Sequence, residues 1–185
     1  MKKRFSTLAI ATILGLTAGF ANADPVKVKD ILDREVTVDL PAKRVVLGFY
    51  YQDYMAVGGD KALDNVVGFS KKVWSSWAPA SWELFSKAVP KLNQLDDVGE
   101  VEEGTFSVEK VLDLLVLADW QYEMLGSDLD AINEAGIPIV VLDYNAQTLD
   151  KHIKSTEIIG QLTGQKDRAA KMAKEYKDIV EHIQT

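Results

Sequence analysis

Large aromatic side chains gather where apolar runs end. "RVVLGF" leads into Tyr50, Tyr51, Gln52, Asp53 and Tyr54. "NVVGFS" leads into Lys71, Lys72 and then "VWSSWAPASW", which carries Trp74, Trp77 and Trp82, three of the four tryptophans. "LLVLA" leads into Asp119, Trp120, Gln121 and Tyr122, and "IPIVVL" into Asp143, Tyr144 and Asn145. Flat rings on a Ser- and Pro-containing segment suit stacking on a ring-bearing ligand, with a few polar groups to orient it. The competing use is plugging the end of the sheet, since tryptophan is usually largely buried. The shared edge of the set favours the ligand use.

Other chemistries find little support. His152 and His182 are thirty residues apart on helical segments and read as solvated positions, so no histidine cluster marks a zinc or manganese site. No G-x-S-x-G elbow, phosphate-binding P-loop or G-x-G-x-x-G is present. Asp96-Asp97 and the run Glu100 to Glu103 carry oxygen donors for a hard cation, but such runs are more often solvated loop. Tyr50, Tyr51 and Tyr54 have phenolates that could hold ferric iron, although packing and stacking are their commoner uses. The reading is a binding protein, not an enzyme, with no catalytic residue, no resident metal and no cofactor. An exported hydrolase-like enzyme and a tryptophan-mediated interaction module are the alternatives.

The elements that must position these residues follow from periodicity. "VKVKD" and "REVTVDL" alternate with period two, and Asp33-Arg34 supplies a hairpin turn between them. "RVVLGF", "NVVGFS", "LLVLADW" and "IPIVVLDY" are near-continuous apolar runs, as in strands covered on both faces. "YYQDYMAVGG" starts a helix that ends near Gly58-Gly59. "SDLDAINEAG" is a short helix with Ser127 at its N-cap and Gly136 closing it. Trp74 to Trp82 reads as loop until a helix begins near Ser81. Strands alternating with helices imply a mainly parallel sheet with helices on both faces, and ligands then bind beyond the carboxyl ends of the strands. Two helical segments follow, parted at Gly164. The second carries Ala169, Met172, Ala173, Tyr176, Ile179, Val180 and Ile183 on one stripe and stops without a closing residue, as an incomplete chain would.

Composition narrows the class further. The chain of 185 residues opens with Lys2, Lys3 and Arg4, an apolar run from Leu8 to Phe20, and Ala21-Asn22-Ala23. That pattern is a cleavable secretory signal over residues 1–23, its apolar run short of the roughly 20 residues of a membrane span. No cysteine follows it, so neither a lipid anchor nor a disulfide framework is expected. The formal charge of −7 becomes more negative once the three leader cations are removed, which disfavours nucleic acid and anionic lipid as partners.

Export signal, "REVTVDLPAKRVV", "VGEVEEGTFSVEKVLDL", "AGIPIVVLD" and the following long helix occur in an order that resembles the iron-siderophore and cobalamin class of periplasmic substrate-binding proteins of ABC importers. The resemblance implies a three-layer α/β lobe over residues 24–147, a connecting helical segment over residues 148–185, and a second lobe that this chain lacks. It implies a ferric chelate or related ligand held between lobes, with Tyr50, Tyr51, Trp74, Trp77, Trp82, Glu103, Trp120 and Gln121 lining it. It also implies an inner-membrane permease as partner, docked through a glutamate at the start of a helix. "GTFSVE" matches that motif, with Ser107 as N-cap and Glu109 in the first turn, where a carboxylate also suits the helix dipole. One departure stands out. The family's short turn between this helix and the next strand is missing, since "VEKVLDLLVLADW" runs on with no breaker. A single lobe offers half the contacts, so weak binding is expected.

Overall fold

Four strands are built from the apolar runs: β3 (Val45–Leu47), β4 (Val66–Phe69), β6 (Leu114–Ala118) and β7 (Ile139–Leu142). Together with the two-residue β5 (Asp96–Asp97), they form one parallel sheet of order β5-β4-β3-β6-β7. β1 (Val26–Lys29) and β2 (Glu35–Val38) form a separate antiparallel hairpin. The structure is a computed structural model, and it describes residues 25–40, 42–111, 114–146 and 148–184. The expected signal, residues 1–23, lies outside the described residues.

Period-two alternation splits the sheet's side chains between two cores, as the pleat requires. Val45, Leu47, Leu114, Val116, Val140 and Leu142 face α1 (Tyr51–Gly58), α7 (Leu149–Leu162) and the start of α8 (Lys166–Gln184). Val46, Leu115, Leu117, Ile139 and Val141 face the other way, toward Leu125 and toward Ile132 of α6 (Ser127–Glu134). Helices therefore cover both faces, giving the three-layer α/β sandwich with a long C-terminal helix. Gly160 lets α7 and α8 approach closely, because a Cβ there would lie 2.3 Å from that of Ala169. Along the α8 stripe Ala169 and Ala173 are buried, whereas Tyr176, Ile179 and Ile183 are 38%, 59% and 76% exposed.

Several local expectations are corrected. The hairpin turn is not a Asp33-Arg34 pair but a five-residue loop, Asp30 to Arg34, with Asp33 in the left-handed region at φ 61°. Asp30 Oδ1 accepts from the backbone N–H of Leu32 (3.0 Å) and Arg34 (3.1 Å), which fixes the wider loop. The tryptophan segment is not loop. It forms α2 (Lys71–Trp77) and α3 (Pro79–Ala88), followed by the one-turn α4 (Lys91–Gln94), with Pro79 in the first turn of α3, where its missing N–H costs nothing. The signal hidden from local sequence is Asp97, whose Oδ1 accepts from the Lys72 N–H at 3.0 Å and caps α2 from β5. Gly126, at φ 55°, rather than Ser127, occupies the N-cap of α6. The helix expected after Ser107 is a single 3-10 turn, Val108–Lys110, with no side-chain cap from Ser107. That brevity is how the chain reaches β6 without a breaker.

Candidate ligand-binding edge

The carboxyl edge of the sheet is organised around one carbonyl. Gly48 follows β3, and its oxygen accepts from Ser70 Oγ at 2.5 Å and from Gln121 Nε2 at 3.1 Å. Ser70 follows β4 and Gln121 lies in α5 (Asp119–Met124), directly after β6, so three strand ends are tied to one point. Gln121 also donates to Glu100 Oε1 at 2.5 Å and accepts from the Ala118 N–H at 3.1 Å, leaving its amide fully paired while wholly buried. Glu100, itself buried, accepts in turn from the Glu103 N–H at 3.1 Å. Only glycine fits position 48, since a Cβ would lie 2.4 Å from Leu117 Cδ2 and 2.8 Å from Gln121 Oε1.

On this platform stands Phe49, half-buried, with four aromatic rings around it. Its centroid lies 5.2 Å from Tyr50, 4.9 Å from Trp74, 6.5 Å from Trp77 and 5.3 Å from Trp120. The Tyr50 and Trp120 contacts are edge-on, an arrangement the ring quadrupoles favour. Tyr50, Trp77 and Trp120 thus share one edge, as their strand-end positions imply. Trp77 is the outermost ring, 48% exposed. Phe49, at the end of "RVVLGF", belongs to the aromatic strand ends that the sequence marks, but it is not among the residues expected to line the ligand.

Three of the expected contact residues point elsewhere. Tyr51 is only 1% exposed and packs against Phe69, Trp74 and Phe85, so it supports the edge from beneath. Gln121 is interior for the reason given above. Trp82 is half-buried and lies over Phe69 at 5.8 Å. Glu103 is exposed on the loop that Glu100 anchors, beside a hollow of about 280 Å³ also lined by Lys72, Asp97, Ser107 and Lys110. Glu109 is exposed on its 3-10 turn, where there is no α-helix dipole for it to complement.

An acidic flank borders the rings. Tyr50 Oη accepts from the Tyr144 N–H at 3.2 Å, joining the ends of β3 and β7, and burial raises its hydroxyl to about 12. Asp143, fully buried, pairs with Lys151 and accepts from the Ala146 N–H at 2.9 Å. Burial alone would raise its carboxyl, but these donors outweigh it and hold the group below the ordinary range. Asp119 goes the other way: burial first, then its neighbour Asp143, raise it. His152 is not a solvated helix position. It stacks on Tyr176 at 5.1 Å, meets Tyr144 edge-on, and bonds the Tyr144 carbonyl through Nε2 at 3.0 Å. Among the described residues no group of three or more metal-ligating side chains occurs. A cavity of about 710 Å³ lies apart from the rings, between α1, α3 and the start of α8, and takes in none of them.

No protein-family model matches the sequence, and no curated protein does. Solved structures do match. The TroA-like periplasmic binding protein FepB from Veillonella parvula superposes with a TM-score of 0.75 at 27% identity, over 83% of this chain and 47% of its own. The chain has the fold of one periplasmic-binding-protein lobe. The molybdate-bound MolA of Haemophilus influenzae aligns with the lobe at 16% identity and TM-score 0.63, over 80% of this chain and 49% of its own. BauB, bound to a complex of two acinetobactin molecules and ferric iron, aligns with it at 18% identity and TM-score 0.58, over 87% and 54%. The lobe therefore spans about half the length of these relatives.

Proposed function

We propose that this lobe forms one wall of the cleft of a periplasmic solute-binding component of an ABC importer, and that the ligand is a ferric siderophore or a related iron or cobalamin-type compound. The observation that carries the reading is the convergence of Tyr50, Trp74, Trp77 and Trp120 on Phe49 at the carboxyl edge of the parallel sheet. Ligands of open parallel sheets bind at that edge, and stacked rings recognise flat or ring-bearing faces. Trp74, Trp77 and Trp120 are the contact residues in this reading, with Tyr50, only 6% exposed, reached beneath them and Glu103 at the margin. Tyr51, Trp82 and Gln121 hold them in place. Support for an iron ligand comes from BauB, whose cargo is a ferric chelate, and from haem-binding HmuT, which aligns at TM-score 0.52. The exposed Glu109 is the permease-docking carboxylate, and residues 1–23 direct export to the periplasm. The reading assigns no reaction to the chain.

Titration of the 185-residue chain with ferric siderophores, haem, cobalamin and molybdate, followed by tryptophan fluorescence, tests this. If two walls share the contacts of a nanomolar site, one wall retains about half the free energy and binds no tighter than roughly 10 µM. Quenching by an iron or cobalamin compound in that range, lost in Trp77→Ala, is the expected result. Quenching by molybdate alone would replace the iron reading, and nanomolar binding by this chain would contradict a shared cleft. For Glu109, charge reversal to Arg is expected to block uptake in cells without changing the lobe's unfolding. Normal uptake by that variant would remove the docking assignment.

A further inference from the structure

The buried side-chain polar atoms that lack a hydrogen-bond partner among the described residues are Tyr51 Oη, Trp74 Nε1, Asp119 Oδ1 and Trp120 Nε1. All four belong to segments that directly follow β3, β4 or β6, the same edge that carries the rings. Other buried polar groups among the described residues are paired, Gln121 at this same edge and Ser155 and Asp30 away from it. Each unpaired buried group in a native fold calls for an explanation, and a clustered set at a ligand edge has a common one. The Tyr51 hydroxyl has the Gln52 side chain nearby and is set aside. What remains includes two indole N–H groups, on Trp74 and Trp120, whose rings lie on Phe49 at 4.9 and 5.3 Å.

An indole N–H can only donate. Its partner must therefore be an acceptor, and less than 1 Å² of either nitrogen is exposed in the free lobe. The half-exposed Trp77, 6.5 Å from Phe49, is the ring of this group with the most room to move. Resting on the reading of this edge as a ligand wall, we infer that Trp74 and Trp120 donate their indole N–H groups to oxygen acceptors of the ligand. In the free lobe these donors stay folded onto Phe49, and the ligand opens the cluster to reach them. The ligand class is thereby sharpened to one that presents two oxygen acceptors beside an apolar face, such as a hydroxamate or catecholate chelate or a carboxylate-bearing macrocycle.

The test replaces Trp74 or Trp120 in the full chain by β-(3-benzothienyl)alanine, which keeps the bicyclic ring and deletes the N–H. Without ligand, each analogue is expected to unfold at the wild-type temperature or about 2–4 °C above it, because a buried unpaired donor has gone. Affinity for ferric desferrioxamine, ferric enterobactin or haem, whichever the wild type binds, is expected to fall about 5- to 10-fold for each. With the gallium(III) complex of the same siderophore, or with zinc protoporphyrin where haem is the ligand, both wild-type indole N–H resonances should move downfield. Unchanged affinity in both analogues overturns the inference and leaves the ligand-wall reading standing. A drop of several degrees in unfolding temperature also overturns it, since the N–H would then be paired in the free lobe. Failure of the wild type to bind any of these compounds removes the ligand-wall reading and the inference with it.

Discussion

The lateral β7 edge pairs its buried polarity throughout, whereas the carboxyl edge pairs Gln121 and Asp143 but leaves part of its own unpaired. At the β7 edge, Asp30 is wholly buried and every lone pair has work: its carboxylate accepts from Arg34 Nε at 3.0 Å and from Arg34 Nη2 at 2.5 Å. It also accepts from the backbone N–H groups of Leu32, Arg34 and Val141. Arg34 donates onward to the Ile139 carbonyl at 3.1 Å and lies 4.0 Å over the Tyr122 ring. The loop thus covers an edge strand that would otherwise present unpaired backbone, with Ile31 N–H adding a bond to the Val141 carbonyl at 3.1 Å. At the carboxyl edge, Trp74, Asp119 and Trp120 are left with buried atoms unpaired. Full pairing marks a group that builds the fold. In the reading proposed above, incomplete pairing marks a surface whose partner is the ligand.

The sharpest way to break this contrast is Asp30→Ala. It strips the partner from a guanidinium whose side chain is only 31% exposed and removes the acceptor for three backbone donors. Breaking a buried pair in this way costs about 3–5 kcal/mol, which a urea-unfolding midpoint will report. A loss below about 1 kcal/mol would show that the pairing at this edge is ornamental, and the contrast would fail.

Gly48→Ala probes the platform. The new methyl would meet Leu117 Cδ2 at 2.4 Å and Gln121 Oε1 at 2.8 Å, and both neighbours are wholly buried. Overpacking of this kind costs about 1–3 kcal/mol. Because the Gly48 carbonyl gathers Ser70 and Gln121, the aromatic cluster should shift with it, seen as a change in tryptophan emission before any unfolding. Lost stability with unchanged emission would separate platform from rings.

Much of this architecture is legible from pattern alone. The four apolar runs became β3, β4, β6 and β7, and the two C-terminal segments became α7 and α8. Strand-end aromatics gathered because parallel strands must end on one side. What escaped depends on partners distant in sequence. β5 is two aspartates that pair only because β4 lies alongside, and α2 starts at Lys71 because Asp97 caps it. Tyr51 and Gln121 look like surface residues until Phe85 and Glu100 are seen to receive them. The missing breaker before β6 was a true local signal, and it resolved as a shortened helix. Residue type located the edge, and long-range packing decided which side chains face outward.

The smallest expected effect is also the most discriminating. Asp119 carries one of the unpaired oxygens, and burial raises its carboxyl above the ordinary value. A raised acid binds a proton more tightly in the native state than in the unfolded chain, so stability falls as pH rises from about 4 through the raised value, and the penalty is complete above it. Asp143, lowered by Lys151 and backbone donors, has the opposite slope: its contribution is present above the unfolded value and is lost as pH falls through the native one. Asp119→Asn removes the first slope and leaves Asp143 its Lys151 partner. The variant should exceed the wild type in unfolding temperature at pH 7, and the two should converge near pH 3, where the native carboxyl is protonated in any case. A variant less stable than wild type at pH 7 would mean that the ionised Asp119 is fully paired, and the carboxyl edge would then resemble Asp30 more than it differs from it.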